Sequence, residues 1–506
     1  MDSDTVRAMH SERVRGADTR AQVDDGTWAD LDLDQVFTAL DTTASPLGKL
    51  VLYGWLRRPA TRATELEQVS ARLATSEDLA AAPGATDAVV RALAKLPRLP
   101  LLLVEIVWGE GRLPSLGRLP LALAVLGAAA PLGFFLSMNA GLGLVAGAFV
   151  VNMAFHFWWN RRVSAATASI DFVSAALQSA WKLGEEPLLG PRAQRLSELG
   201  RRLAPLARAT REVGVPAAAD DLTEYFRLYF LTRERRLSTS ALLIDDHREA
   251  LRELFERLGE LDAAVAVGAF RRAQPQSCIP QLDDRPKLAL EDLRHPLLGA
   301  AAVPNSVELD GGLVVTGSNM SGKSTFLRAV AINVLFAQSL GFSCARSHVG
   351  PILRVVTALR ASDRLDEGKS YYLAEAQRIG ALVADSGPGP LRLVALDEPF
   401  RGTNSRERIA ATVAVLRHVR RAGALVLAAT HDLEVTHLVE DAFAQGHFQD
   451  GLDASGLHFD FKLKGGVATE HNAVRLLGFL GYPQALVEEA HALVARLGSK
   501  VETATG

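Results

Sequence analysis

The sequence predicts a multidomain protein in which an all-helical amino-terminal region, interrupted by an apolar helical hairpin, precedes a carboxyl-terminal α/β domain. Three observations predict this arrangement. Apolar residues recur at helical spacing up to about residue 275, residues 119–160 contain no Asp, Glu, Lys or Arg, and a glycine-rich loop joins an apolar strand pattern to a helical one. The predicted segments are a flexible terminus (1–28), a helical region (29–117), the hairpin (118–160), a second helical region (161–275) and the α/β domain (276–506).

Composition narrows the class of protein. The chain has 506 residues, of which 48% are hydrophobic, and its formal net charge is −3. The hydrophobic fraction is high for a soluble protein, so we expect a membrane segment. The near-neutral charge excludes a basic field over the whole surface, so nucleic-acid binding would require a local patch. Two distant cysteines, Cys278 and Cys344, lack metal-ligand spacing and fit a reducing compartment.

Amphipathic patterns define the two helical regions. In the first region, Leu33, Val36, Phe37 and Leu40 share one helical face, and another helix is predicted over residues 44–56. In the second region, one face of a long helix carries Leu251, Leu254, Phe255, Leu258 and Leu261. The second region also contains two arginine clusters: Arg201, Arg202, Arg208 and Arg211, and Arg233, Arg235 and Arg236. Such clusters can contact phosphates, but solvated helix faces have the same composition, and we favour that second interpretation.

The uncharged segment has room for two membrane-spanning helices of about 20 residues each. We predict a turn between them at residues 138–141, where Asn139 and Gly141 occur. Arginines flank the segment on both sides, which predicts that both termini and the α/β domain are cytoplasmic. These arginines are Arg112, Arg118, Arg161 and Arg162. The alternative is a hairpin buried in a soluble core. The polar start of the chain predicts no cleaved signal peptide.

The glycine-rich loop has the pattern G-x-x-x-x-G-K-[ST], which is typical of phosphate-binding loops. It comprises Gly317, Ser318, Asn319, Met320, Ser321, Gly322, Lys323, Ser324 and Thr325. Residues 313–316 read as a buried strand before it and residues 325–340 as a helix after it. In this context backbone N–H groups surround phosphate oxygens, Lys323 reaches the β- and γ-phosphates, and Ser324 binds Mg²⁺. The loop therefore predicts binding of ATP with Mg²⁺.

Polar residues follow two further predicted strands. Asp397 and Glu398 end the apolar strand at residues 391–396, and His431 follows the strand at residues 425–430. We assign Asp397 to the metal ion and Glu398 to the general base that activates the attacking water. The imidazole of His431 is predicted to contact the γ-phosphate or that water. These residues predict ATP hydrolysis.

Residues 295–497 resemble the ATPase domain of the MutS family of DNA mismatch repair proteins, which is itself similar to ABC-type ATPases. The resemblance rests on the loop, on Asp397 and Glu398 with Arg401-Gly402-Thr403, on Ala429-Thr430-His431, and on Gly368-Lys369-Ser370-Tyr371-Tyr372 with Glu375. It implies a homodimer with composite ATP sites, in which Ser370 caps the γ-phosphate bound by the neighbouring subunit. Phe461 corresponds to an adenine-contacting residue, and DNA becomes a candidate partner.

The sequence also departs from the family pattern. Ser318 and Ser321 replace a proline and a glycine, Tyr371 replaces a threonine, and Pro399-Phe400 replaces an apolar-glycine pair. Residues 40–59 and 261–270 resemble parts of the family's helical core. We expect no mismatch-reading domain before Leu33, and the helical regions are short for a full lever and DNA clamp.

Two functions of different classes follow. The first is a membrane-anchored MutS-like ATPase whose dimer opens and closes with nucleotide. The second is a membrane-tethered scaffold in which ATP-dependent dimerisation recruits a partner without DNA. An ABC transporter is disfavoured, because two spans are too few for a translocation path.

Overall fold

The computed structural model describes residues 3–16, 22–115, 117–161, 163–210, 226, 228–318, 320–359, 371–384, 391–453, 456–467 and 477–502. The predicted site residues Asn319 and Ser370 lie outside these ranges. The chain divides into two compact units. One comprises Met1–Thr19, Leu40–Trp55 and Arg72–Phe270, and the other comprises Arg20–Ala39, Leu56–Ala71 and Arg271–Gly506.

The amino-terminal part of the chain is helical, as the sequence predicts. Its α-helices up to the apolar segment are Ser3–Arg13, Asp25–Asp30, Leu33–Leu40, Pro46–Arg57, Ala63–Ala81, Pro83–Leu93 and Leu101–Trp108. Those after it are Ser164–Gly184, Pro191–Arg202, Ala204–Thr210, Thr232–Asp246 and Arg248–Ala273, with a short 3₁₀ helix at Pro187–Leu189. The predicted apolar face of the long helix is buried from Leu251 to Leu261.

Asp262 fixes the start of the Pro46–Arg57 helix from a position more than 200 residues away. Its buried carboxylate accepts hydrogen bonds from the backbone N–H groups of Ala44 and Ser45 at 2.9 and 2.8 Å, and from the Ser45 hydroxyl at 2.5 Å. The carboxylate therefore pairs donors that a helix start would otherwise leave unsatisfied. A Cβ atom on Gly48 would lie 2.2 Å from Asp262 Oδ2, so this contact requires glycine.

The apolar segment forms two consecutive helical stretches, but the predicted turn is wrong. Leu119–Ala129 is α-helical, Ala130–Phe135 is 3₁₀, and Met138–Asn160 is α-helical, so residues 138–141 start the second helix. The chain breaks at Leu136 and Ser137, and the Ser137 hydroxyl accepts a hydrogen bond from the Ala140 N–H at 3.1 Å. Gly141 serves packing, because an added Cβ would lie 2.4 Å from the Phe134 ring.

Among the described residues, one helix is long and apolar enough to cross a membrane. This helix is Met138–Asn160, and only 11% of its most apolar 18-residue window is buried. The stretch Leu119–Phe135 is also apolar but shorter. Two polar side chains of the long helix are paired within the same unit. The Asn152 amide donates to the Tyr229 carbonyl at 2.7 Å, and His156 Nδ1 lies 2.6 Å from Glu234 Oε1.

The carboxyl-terminal part has the predicted α/β composition. Its strands are β1 (Gln281–Leu282), β2 (Leu288–Leu293), β3 (Asn305–Leu309), β4 (Gly312–Thr316), β5 (Ser347–Gly350), β6 (Arg354–Ala358), β7 (Arg392–Asp397), β8 (Leu425–Ala429), β9 (Ala444–Asp453) and β10 (Gly456–Gly465). Its α-helices are Lys323–Ser339, Tyr371–Ala384, Ser405–Arg421, Leu433–Val439 and Gln484–Glu502, with a 3₁₀ helix at Gly299–Ala301.

The strands form two sheets. The six-stranded sheet has the order β10-β9-β4-β8-β7-β6, with β10 antiparallel to β9 and the other neighbours parallel. The four-stranded sheet has the order β1-β5-β2-β3. Strands β4 and β8 are buried along their whole length, as expected for central strands covered on both faces. Because β4, β7 and β8 are parallel, their carboxyl ends meet at one edge.

Asp30 ties the amino-terminal segment of the second unit to β6. Its buried carboxylate accepts hydrogen bonds from the Thr357 hydroxyl at 2.7 Å and from the Leu359 N–H at 2.8 Å. The same carboxylate forms an ion pair with Arg378, which lies on the Tyr371–Ala384 helix. A single buried charge thus holds the end of β6 and a neighbouring helix.

Candidate functional site

The 317–325 loop leaves the end of β4 in a conformation that depends on glycine. Gly317 and Gly322 have φ angles of +142° and +107°, and an added Cβ on Gly317 would lie 2.7 Å from the Phe448 carbonyl oxygen. Met320 also has a positive φ of +77°. Among the described residues of the loop, the hydroxyls of Ser318 and Ser321 are buried without a hydrogen-bond partner. These hydroxyls are donors that suit an anionic ligand.

Lys323 begins the helix that follows the loop, and its side chain is only 4% exposed. Its ammonium group donates hydrogen bonds to the carbonyl oxygens of Gly317 and Ser318 at 2.8 Å each, and it lies 3.7 Å from Glu398 Oε1. Burial lowers the pKa of Lys323 more than the nearby carboxylates of Glu398 and Asp397 raise it. The lysine therefore folds back onto its own loop.

Ser324 and Asp397 are brought together from the first turn of that helix and the end of β7. The Ser324 hydroxyl donates to Asp397 Oδ2, and Asp397 Oδ1 is buried without a hydrogen-bond partner in the described part of the chain. Burial raises the pKa of Asp397 more than the hydrogen bond from Ser324 lowers it. A buried carboxylate oxygen beside a hydroxyl fits Mg²⁺, which takes oxygen ligands and commonly uses only one or two protein groups.

Glu398 lies at the centre of a cluster of positive charges. It is 5% exposed, has a φ of +47°, and contacts Lys323, Arg401 and His431. Burial alone would raise its pKa, but the hydrogen bond with His431 and the charges of Arg401 and Lys323 outweigh burial and lower the pKa to about 2. Glu398 is therefore ionised at neutral pH.

His431 follows β8 and approaches Glu398 from the neighbouring strand. Its Nδ1 lies 3.0 Å from Glu398 Oε2, and this hydrogen bond raises the pKa of the imidazole. The next residue, Asp432, accepts two hydrogen bonds from Arg408 at 2.7 and 2.8 Å, which fixes the backbone beside the imidazole. Strands β7 and β8 pair Asp397 with Ala429, so their shared register brings Glu398 and His431 together.

Sequence reasoning assigned no role to Arg401, which contacts Glu398 in the structure. The turn between them includes Phe400, whose φ is +65°, and its N–H donates to Glu375 Oε1 at 3.0 Å. Burial raises the pKa of Glu375, although the N–H groups of Phe400 and Arg401 oppose this. The signal available in the sequence was the three-residue spacing between Glu398 and Arg401, but the direction of each side chain depends on the unusual backbone of the turn.

A cavity of about 390 Å³ adjoins the loop. Lys323, Ser324, Glu398 and Arg401 contribute to its lining, together with Phe461. The apolar part of the lining includes Leu293, Leu298, Ala301, Ala302, Val303 and Phe448, none of which the sequence analysis identified. No motif marks these apolar residues, because their side chains do no chemistry and only the fold brings them together.

Phe461 lies at the rim of this cavity with its side chain 40% exposed. An added Cβ on Gly322 would be 3.2 Å from Phe461 Cδ1, so the aromatic ring lies close to the glycine of the loop. The site thus combines buried hydroxyls, a lysine, a carboxylate pair and an aromatic ring. This combination suits a ligand with several negative charges at one end and an apolar, planar group at the other.

The sequence of this chain is similar to that of known proteins over the region that contains the site. Residues 313–498 match the family model described as MutS domain V. The protein named DNA mismatch repair protein MutS in Thermus thermophilus is 32% identical over 299 residues, which cover 57% of this chain and 36% of that protein. The values for the protein of the same name in Thermus aquaticus are the same.

A further relative, also named DNA mismatch repair protein MutS, occurs in Natronomonas pharaonis. It is 33% identical over 261 residues, which cover 50% of this chain and 30% of that protein. The chain therefore spans about a third of the length of the curated relatives it matches. Residues 313–498, which include the 317–325 loop, Asp397, Glu398 and His431, are therefore the part of this chain that matches MutS domain V.

Proposed function

We propose that this protein is an ATPase of the phosphate-binding-loop type, which binds ATP with Mg²⁺ in the cavity beside the loop and hydrolyses it. One observation carries the proposal: the ends of β4, β7 and β8 bring Lys323, Asp397, Glu398 and His431 to the same edge of one sheet. Each residue type matches a requirement of phosphoryl transfer, which depends on positioning and on stabilising negative charge.

The roles follow from the contacts. Lys323 exchanges its two loop carbonyls for phosphate oxygens, which offer stronger charge-assisted hydrogen bonds. Ser324 and Asp397 hold Mg²⁺, which neutralises charge on the phosphates when bound. Glu398 orients the attacking water, and His431 holds the Glu398 carboxylate through the hydrogen bond at Nδ1.

Glu398 is a weak proton acceptor while its pKa is about 2. We infer that bound phosphates attract Lys323 and Arg401, which removes positive charge from Glu398 and raises its basicity. Nucleotide binding would thus activate the base that hydrolysis requires. This proposal accounts for the presence of three basic side chains around one carboxylate.

The first test separates binding from turnover. Lys323→Ala should weaken ATP binding, because the ammonium group contacts the phosphates, whereas Glu398→Gln should bind ATP but hydrolyse it at least about a hundredfold more slowly. Steady-state hydrolysis and equilibrium binding of a fluorescent ATP analogue measure the two effects. Equal hydrolysis rates for the wild type and Glu398→Gln would refute the assignment of the base.

We also propose that the protein is anchored in a membrane by residues 119–160, with both termini and the ATPase domain in the cytoplasm. The support is the apolar surface of this segment. Phe135 and Leu136 at its tip are more than 80% exposed, and most of the Met138–Asn160 helix is exposed as well. Large contiguous apolar surfaces are rarely left in contact with water.

DNA is a proposed partner on the strength of the family alone. The curated relatives are named as DNA mismatch repair proteins, and this chain spans about a third of their length. Binding of the purified protein to homoduplex, mismatched and branched DNA at several salt concentrations tests the proposal, because phosphate contacts make affinity fall steeply with salt. Absence of binding at low salt would favour the scaffold that dimerises with ATP.

A further inference from the structure

Phe461 occupies a two-residue bulge at the edge of the six-stranded sheet. Strands β9 and β10 pair Asp450 with Phe459 and Phe448 with Leu463, so four steps along β10 correspond to two steps along β9. Within this bulge Phe461 has a φ of +51°, a conformation that aromatic residues rarely adopt. Other contacts must therefore stabilise the backbone that directs the ring toward the 317–325 loop.

Asn305, the first residue of β3, supplies those contacts. Its side-chain amide donates from Nδ2 to the Phe461 carbonyl at 2.9 Å, and its Oδ1 accepts from the Leu463 N–H at 2.7 Å. Together these bonds satisfy the backbone on both sides of the bulge. The same Nδ2 also lies 3.3 Å from the carbonyl of Val303, which lines the cavity.

We propose that Asn305 is a positioning residue for recognition of the nucleotide base, because it holds Phe461 where the ring can stack on that base. This inference rests on the proposed ATP binding. It gives a role to Asn305, which is not among the proposed catalytic residues. The ring of Phe461 and the apolar wall formed by Leu298 and Val303 lie on the same cavity as the loop. A planar base fits between an aromatic ring and an apolar wall.

The chemistry of the side chain explains why asparagine suits this position. The bulge needs one donor for the Phe461 carbonyl and one acceptor for the Leu463 N–H, and a single carboxamide provides both. Aspartate keeps the acceptor but loses the donor. Lys462 also connects the bulge to the residue before β3, because its Nζ donates a hydrogen bond to the Pro304 carbonyl at 2.8 Å. Its side chain is exposed, however, and does not bond the Phe461 carbonyl or the Leu463 N–H.

The test compares a ligand that has a base with one that lacks it. Equilibrium binding of Mg-ATP and of Mg-tripolyphosphate should be measured for the wild type, Asn305→Ala, Asn305→Asp and Phe461→Ala. We expect Phe461→Ala to weaken ATP binding about tenfold, the size of one lost base-stacking contact, and both Asn305 variants to weaken it about fivefold. Tripolyphosphate binding should change less than about twofold in every variant, because the phosphate contacts remain.

Two further variants sharpen the result. Asn305→Ala combined with Phe461→Ala should bind ATP no more weakly than Phe461→Ala alone, because the two residues act as one unit. Lys462→Ala is the matched control and should leave both affinities unchanged. Equal losses for both ligands, or additive losses in the double variant, would overturn the positioning role. Failure of the wild type to bind either ligand would instead overturn the proposed ATPase, and this inference with it.

Discussion

Three basic side chains around Glu398 determine the electrostatics of the site at the residue scale. The side chains of Lys323 and Arg401 are strong bases, whereas His431 ordinarily titrates close to neutral pH. The hydrogen bond with Glu398 raises that pKa, and the charge of Asp432 raises it further. Glu398 and His431 therefore stabilise each other's charged forms.

The first prediction concerns this mutual effect. In Glu398→Gln the pKa of His431 should fall toward its ordinary value of about 6.5, because the carboxylate that favours imidazolium is gone. Titration of the imidazole C–H resonances by NMR measures the pKa, and His431→Gln identifies the signal. An unchanged pKa in Glu398→Gln would mean that the two side chains are apart in solution.

The same pair predicts a pH dependence of stability. Since the folded-state pKa of His431 is raised, the contribution of His431 to stability is fully present below about pH 6.5 and is lost as pH rises through the folded-state pKa. For Glu398 the sign is opposite, because its pKa is lowered to about 2, and its contribution is lost as pH falls from about 4.5 to 2.

Motifs predicted which polar residues lie together at this edge of the sheet better than they predicted the apolar residues that line the cavity. The loop pattern predicted Lys323 and Ser324, and the positions after two strands predicted Asp397 and His431; the parallel strands bring these residues to one edge of the sheet. The contact between Arg401 and Glu398 was not predicted. It depends on positive φ angles at Glu398 and Phe400, and no sequence rule anticipates these at non-glycine residues.

At the scale of elements, the second prediction concerns the start of the Pro46–Arg57 helix. Asp262→Ala leaves the part-buried N–H of Ala44 and the buried N–H of Ser45 without an acceptor and should cost about 2–4 kcal/mol. Gly48→Ala should also destabilise, because its Cβ would overlap the carboxylate. Thermal unfolding of the purified protein measures both effects.

The matched control for this prediction is Asp246→Ala, which removes an exposed carboxylate at the end of the Thr232–Asp246 helix. A surface change of this kind should alter the free energy of unfolding by less than about 0.5 kcal/mol. If Asp262→Ala behaved like this control, the buried carboxylate would not fix the helix start.

The third prediction concerns the membrane orientation of the apolar segment. A cysteine introduced at Ser137, where the segment breaks, should react with an impermeant maleimide applied to intact cells, because the proposed orientation places this break outside the cytoplasm. A cysteine at Asp246 should react only after lysis. Full-length protein recovered in the soluble fraction without detergent would contradict the membrane anchor.

The error in the predicted turn shows what hydropathy cannot resolve. Asn139 and Gly141 looked like turn residues, yet the helix begins at Met138 because the Ser137 hydroxyl caps it. Gly141 instead allows the Phe134 ring to approach the backbone. Glycine is used both for turns and for close packing, and only the tertiary contact distinguishes the two uses.

At the scale of the whole molecule, long-range contacts within each unit connect segments that are distant in sequence. Asp30 bonds Thr357 and Leu359 from more than 300 residues away, and Asp262 bonds Ala44 and Ser45 across more than 200. Helical periodicity predicts which residues are buried but not which segment covers them. Sequence patterns therefore could not predict which chain segments make up each compact unit.

The last prediction is that the active protein is a homodimer with two composite ATP sites. Ser370 lies outside the described residues, and its role across the interface is an expectation from the family. Each site would then need Lys323 from one subunit and Ser370 from the other. Variants Lys323→Ala and Ser370→Ala should each be nearly inactive alone.

Mixing the two variants distinguishes a composite site from one built within a single chain. In a mixed dimer one site combines the intact 317–325 loop of the Ser370→Ala subunit with the intact Ser370 of the Lys323→Ala subunit. At equal amounts about half of the dimers are mixed and each has one complete site, so ATP hydrolysis should recover to about a quarter of the wild-type rate if the sites act independently. Chemical cross-linking of differently tagged subunits establishes that mixed dimers form. If they form and hydrolysis equals only the sum of the two residual rates, Ser370 acts within its own chain and the composite site is wrong.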